Sequence, residues 1–172
     1  MASGSGVGDS GYLFADRTVL RSRPDGVGNE KARMNNDDAL LQAYLSTTFA
    51  AFAPEGEIRI RVGENNPRLE ALLSHHGVFT WAFITAFNPG SVPLDRDENE
   101  LRQRRMENDL LNRGYAFLSG EGQADAGGWP PEPSVLILGI AREDAVRLGQ
   151  EYGQIAIVVG EAMGLPQLLW IK

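Results

Sequence analysis

The segment Val78–Ser91 reads VFTWAFITAFNPGS. Its first part is a run of apolar, β-branched and aromatic residues, the pattern of a strand covered on both faces. Alternation sends Phe79, Trp81 and Phe83 to one side and Val78, Ala82, Ile84 and Ala86 to the other. A strand apolar on both sides needs a layer above and below it, so it belongs inside a sheet with helices packed on it. The run then breaks at Asn88-Pro89-Gly90-Ser91, a turn cluster that feeds a charged helix. A core strand passing through a polar loop into a helix is a common place for a binding site in α/β proteins.

Downstream, the spacing predicts a helix from about Asp95 to Arg113, acidic in its first turn and arginine-bearing later, in agreement with the helix macrodipole. At 100° per residue Asn99, Gln103, Met106 and Leu110 share one face, flanked by Arg102 and Arg113. The buried stripe therefore turns polar at the end nearest the NPGS turn. Asn99, Arg102 and Gln103 either line a ligand pocket or form a network that pins the turn to the helix. The pattern alone leaves both open. Gly114 caps this helix, and Tyr115–Ser119 reads as a short strand. Residues 120–133, GEGQADAGGWPPEP, read as a long loop with a stiff corner at Trp129-Pro130-Pro131. Ser134–Ile140 is a second apolar strand. Ala141–Tyr152 is an amphipathic helix in which Gly149 points to close helix–sheet contact. Ile155–Val159 and Leu165–Ile171 are the last two strands, joined by a tight turn.

Upstream, Glu57–Val62 alternates strictly, as a half-buried strand near an edge does. Asn66-Pro67 opens a short helix that Gly77 stops. His75 and His76 fall in its last turn, where the dipole favours them. Adjacent histidines point about 100° apart on a helix and do not readily share a ligand. Asp37 and Asp38 can cap a first helix, Ala39 to about Phe52, with Leu41, Tyr44, Leu45, Thr48 and Phe52 on its core face. Residues 1–36, rich in Gly, Ser, Asn and charge, read as a flexible arm ahead of one globular domain over residues 37–172. The expected fold is α+β: a mixed sheet of about six strands with about four helices packed on it.

The bulk numbers narrow the function classes. The 172-residue chain carries a net charge of −7, which argues against non-specific nucleic-acid binding. It has no cysteine and two histidines, so disulfides, thiolate metal sites and multi-histidine metal sites are excluded. No apolar run has the length of a membrane span. The N-terminal stretch lacks the basic start and apolar core of a signal peptide, so the cytoplasm is the expected location. There is no P-loop, dinucleotide fingerprint, nucleophile elbow or zinc-protease motif, and no cofactor is implied.

What remains is a set of polar residues at strand ends: Thr85, Asn88 and Ser91; Trp129, Glu132 and Ser134; Gln154 and Glu161. Glu132 is the weak candidate for an acid/base catalyst, although a lone Glu at a strand entry more often anchors a loop. The Gly90 and Ser91 N–H groups could hold an anion, against which the acidic start of the next helix counts.

Three segments, FITAFNPGS (83–91), GWPPEPS (128–134) and YGQIAIVVGE (152–161), together with the helix holding Asp97-Glu98-Asn99, resemble the bacterial family designated domain of unknown function 3293. The resemblance runs from about residue 38 to the C-terminus. It implies that Asn88, Asn99, Glu132, Ser134 and Gln154 belong together in the fold, and it implies no activity. Three readings follow. One is a binding module for a small polar, nucleotide-like ligand, using Asn88, Ser91, Asn99, Arg102, Trp129, Glu132, Ser134 and Gln154. Another is a protein-interaction domain without a small-molecule site. The third is a hydrolase or transferase using Glu132 beside Gln154.

Overall fold

The computed structural model describes residues 38–126 and 130–171. The expected arm and Trp129 lie outside them. The described chain is a single α+β domain, as its apolar pattern predicts, built on one seven-stranded sheet with four helices. The elements are α1 (residues 38–45), β1 (Thr47–Ala53), β2 (Gly56–Ile60), α2 (Pro67–His76), β3 (Thr80–Ile84), α3 (Arg96–Asn112), β4 (Ala116–Ala124), β5 (Glu132–Leu138), α4 (Arg142–Glu151), β6 (Ala156–Glu161) and β7 (Gln167–Trp170).

The strand order is β2-β1-β4-β5-β3-β6-β7, and β3 lies inside the sheet as its two-sided apolar pattern requires. All six ladders are antiparallel, which corrects the expected mixed sheet. The reason lies in the crossovers. Helix α4 carries the chain from β5 to β6, which run in the same direction, but β3 is inserted between them and pairs antiparallel with both. A strand–helix–strand order therefore produces no parallel neighbours here.

The extra strand is β1. Residues 47–52 were expected to continue the first helix, but the chain leaves the helix after Leu45 and runs on as a strand paired with β2 and β4. Pro54 and Glu55 then form the turn of a β1–β2 hairpin rather than a helix stop. Threonine and phenylalanine at 47–49 are better strand than helix residues. A second correction concerns residues 120–124. They belong to β4, paired with β1 on one side, so a strand runs to Ala124 where a loop was expected.

Each face of the sheet carries a core. Ala82, Ile84, Val135, Ile137 and Val159 meet Met106 and Leu110 of α3 and Leu148 of α4. Trp81, Phe83, Leu136, Leu138 and Val158 meet Phe49, Ile60 and the α2 leucines Leu69, Leu72 and Leu73. Phe79 departs from the expected inward set: it precedes β3 and is 77% exposed. Val78 packs with the Trp81 side instead of the Ala82 side. Gly149 does mark close helix–sheet contact, since a Cβ there would run into Ile157 and Ile171.

The sheet is curled. Strands β2 and β7 are its two edges, six ladders apart, which in a flat sheet is roughly 29 Å at about 4.8 Å per strand. Yet the Gly63 N–H, just past β2, donates to the Pro166 carbonyl just before β7 at 2.8 Å. Tyr44 of α1 likewise meets Trp170 of β7 edge-on, with ring centroids 5.8 Å apart. Gly120 of β4 lies in close approach to β1 and to the Phe83 ring. A Cβ on it would collide with the Ala50 carbonyl and press on the Phe83 ring at 3.1 Å, so only glycine admits this approach.

Candidate functional site

The curl leaves a cavity of about 290 Å³ at one end of the sheet. Antiparallel pairing brings the C-terminal end of β3 beside the starts of β5 and β6, and α1 crosses above them. Phe49, Phe83, Phe87 and Val158 supply apolar wall; Tyr44 and Thr47 come from the α1–β1 corner. Gly122 and Ala124 of β4 keep the opposite wall low.

Asn88, Ser91, Glu132, Ser134 and Gln154, all expected at the site from the sequence, line this one cavity. Asn88 takes left-handed backbone angles (φ 46°, ψ 59°), as do Gly90 and Ser91 after it. Asparagine tolerates that conformation better than most residues. The turn is held there by side chains. Asn88 donates through Nδ2 to Glu132 Oε1 at 2.5 Å, and its Oδ1 accepts from the Leu94 N–H and from Asn99 Nδ2. Gln154 Nε2 donates to the Phe87 carbonyl at 3.0 Å. Thr85 Oγ donates to the Pro133 carbonyl and accepts from the Phe87 N–H. Ser134 Oγ donates to the backbone carbonyl of Glu132.

Asn99 and Arg102 stand behind the turn and do not line the cavity. Asn99, 4% exposed, exchanges two hydrogen bonds with Asn88. Arg102 donates to the carbonyls of Ala86 and Tyr152 at 3.0 and 2.7 Å. Gln103 accepts from the Ala86 N–H. Of the two readings of this polar stripe, the pinning network is the one observed. Among the described residues no buried side-chain nitrogen or oxygen lacks a partner, as close-packed interiors demand. The anion site expected at Gly90 and Ser91 is not formed: their N–H groups donate to the carbonyls of Gly153 and Asn88.

Tyr44 is the residue that the sequence assigned elsewhere. Its helical spacing marked it as core, whereas its hydroxyl reaches the cavity. Burial pushes the phenol above its ordinary value; a hydrogen bond with Ser91 opposes the rise and the nearby Glu132 charge adds to it. Glu132 is the one ionisable carboxylate of the lining among the described residues, and no Lys, Arg or His joins it. The histidine pair lies elsewhere, exposed at the end of α2 with the two rings edge-on at 5.3 Å.

The fold and this arrangement define an α+β domain with a pinned polar turn at the mouth of a curled sheet. The model of the family described as "Protein of unknown function (DUF3293)" matches residues 84–157, so this part of the chain is similar to that family. That match is narrower than the resemblance drawn from residue 38 onward. It holds the turn, α3 and Gln154, and it leaves out α1 and β1. No curated protein and no solved structure matches. Among the described residues no helix is long and apolar enough to cross a membrane.

Proposed function

We propose that the protein is a binding module for a small molecule that occupies the cavity between α1, β4 and the ends of β3, β5 and β6. One observation carries this reading. Protein interiors are packed tightly enough that voids much larger than a water are few, yet about 290 Å³ stands open here, close to the ordinary size of a small-ligand site. Its walls are mainly apolar, and a few fixed polar groups converge on one end, the pattern by which such sites orient a ligand. A nucleotide-like ligand fits poorly, because its phosphates would face Glu132 with no cation among the described residues of the lining. The reading narrows to a ligand with an apolar body and a polar end that is not anionic. Ser134 directs its hydroxyl at a backbone carbonyl, so it is not paired with a general base as a nucleophile would be.

The test is a thermal-shift screen of the purified protein against small amines, alcohols, acids, nucleosides and nucleotides. A ligand at a hundred times its dissociation constant should stabilise the native state by about 2.7 kcal/mol. The same hit should disappear in Ala124→Leu, which fills the cavity from the β4 wall. Hits that survive Ala124→Leu, or no hit at all, would overturn the reading.

A second reading has its own observation. Phe79 and Met163 are 77% and 95% exposed, and their backbones are neighbours because the Ala162 N–H donates to the Phe79 carbonyl. Exposed apolar side chains that cluster can mark a protein contact. Loss of a copurifying partner in Phe79→Ser/Met163→Ser, with the thermal-shift hits unchanged, would establish that surface separately.

A further inference from the structure

We propose that the cavity takes the ring of a small neutral aromatic molecule, such as a phenol or an aryl alcohol, laid on the bare backbone of β4 at Gly122; this rests on the cavity reading above and names the class of ligand. The observation behind it is a contrast between two glycines of one strand. Gly120 and Gly122 stand two residues apart on β4, so they share a face of the sheet. At Gly120 the place of a side chain is taken. The Phe83 ring comes to 3.1 Å of where a Cβ would stand, and the Ala50 carbonyl is closer still. At Gly122 that place is open: among the described residues a Cβ there would meet only Thr47 Cγ2, at 3.8 Å. Gly122 is also not among the glycines with positive φ, so neither collision nor backbone strain demands glycine at this position. Glycine inside a strand weakens it and often marks a site that a ligand approaches closely. Here it borders the cavity, and what it provides is room.

The walls around that opening are rings. Phe49 is the cross-strand partner of Gly122, and it meets Phe83 edge-on with ring centroids 5.5 Å apart. Tyr44 and Phe87 border the same hollow. Aromatic rings attract one another in edge-on and offset contacts beyond the area they bury. A ligand ring over Gly122 adds one member to the Phe49–Phe83 pair and lies on β4 as the Phe83 ring lies at Gly120. The polar lining side chains act mainly on the fold. Asn88 bonds to Glu132, Asn99 and the Leu94 N–H, Gln154 donates to the Phe87 carbonyl, and Thr85 and Ser134 donate to backbone carbonyls. Apolar burial therefore supplies most of the attraction. A charged ligand would give up its hydration to enter a mainly apolar hollow.

The experiment is calorimetric titration of the full chain with three neutral probes: phenethyl alcohol, 2-cyclohexylethanol and hexanol. Burial alone would rank the saturated ring first, because water rejects it more strongly than the aromatic one. The expected result is the reverse, with phenethyl alcohol binding about threefold or more tighter than either aliphatic probe. Gly122→Val puts a side chain into the opening and should weaken phenethyl alcohol about tenfold or more. Its denaturation midpoint should be no lower than that of the wild type, since valine suits a strand. A second measurement needs no variant: nuclear Overhauser contacts should join the ring protons of bound phenethyl alcohol to the Gly122 Hα. An aliphatic probe that binds as tightly, unchanged affinity in a folded Gly122→Val, or ring contacts that miss Gly122 would overturn the aromatic slot and leave the cavity reading standing. Binding by none of the three, alongside thermal-shift hits that Ala124→Leu removes, would overturn the aromatic class alone. Binding by none and no such hit would overturn both.

Discussion

Asn88 and Asn99 hold each other by two hydrogen bonds of 2.8 Å, backbone N–H of Asn88 to Oδ1 of Asn99 and Nδ2 of Asn99 to Oδ1 of Asn88. One residue sits in the turn after β3 and the other on the buried face of α3. The pair is therefore the clamp between the strand end and the helix. Removing the helix side of the clamp leaves a part-buried N–H without its partner. Asn99→Ala should lower stability by about 1–3 kcal/mol, the cost of such an orphaned group. Chemical denaturation measures it, and a loss below a few tenths of a kcal/mol would show that the clamp contributes little.

Gly120 and Gly122 provide an internal comparison on β4. A Cβ at Gly120 meets backbone at Ala50 and the Phe83 ring, whereas one at Gly122 meets only Thr47 Cγ2 at 3.8 Å. Gly120→Ala should cost about 1–3 kcal/mol, the usual range for forcing an atom into a filled core. Gly122→Ala should leave stability almost unchanged. Equal losses for the two would mean that the neighbours of Gly120 give way to a Cβ. Denaturation midpoints of the two variants decide it.

The parts of this fold that sequence makes legible are those set by local period. The α3 stripe of Asn99, Gln103, Met106 and Leu110 is buried as the 100° spacing requires, and β3 lies inside the sheet as its apolar run requires. The first helix was misjudged at its end because Thr48 and Phe52 happen to continue the helical spacing of Leu41 and Tyr44, while the same residues also suit a strand. Tertiary pairing with β2 and β4 decides between them. The antiparallel arrangement is not local at all, since it depends on β3 entering between β5 and β6. Five candidate side chains meet at the cavity because antiparallel pairing sets the end of β3 beside the starts of β5 and β6. Tyr44 joins them only through the curl that brings β2 and β7 together, and no spacing in the sequence encodes that approach.

The tyrosines predict the alkaline limit. Tyr44, Tyr115 and Tyr152 all titrate above the ordinary phenol value of 10.0. Burial is the first cause in each; the Glu132 charge adds to it at Tyr44, the Asp144 charge at Tyr115 and a hydrogen bond to Asp109 at Tyr152. Each phenol holds its proton more tightly in the folded chain than in the unfolded one. The stability this contributes is complete below pH about 10 and is lost as pH rises through the folded values. Lysine adds little to the slope, because the chain has only Lys31 and Lys172. Unfolding midpoints should fall from pH about 10 upward, and Tyr152→Phe should flatten the fall. A midpoint that stays level, with phenolate absorbance rising at the ordinary value, would contradict the assignment.

Asn88 combines two roles that substitution can separate. Its backbone is left-handed, and its side chain donates once to Glu132 and accepts twice. Asn88→Gly keeps the backbone angles at no steric cost and loses all three side-chain bonds. Asn88→Ala loses the same bonds and adds the left-handed penalty, about 1–2 kcal/mol for a residue with a Cβ. The alanine variant should therefore be the less stable of the two by about that difference, measured by denaturation under identical conditions. Both should weaken ligand retention alike, since both leave Glu132 without the donor that orients it. If the two variants prove equally stable, the turn has relaxed out of its left-handed geometry, and the side-chain bonds alone were holding it there. If glycine is the worse, the flexibility it adds to the unfolded chain outweighs the strain it relieves. The order of the two midpoints thus states whether the turn is kept in shape by its backbone or by its clamp.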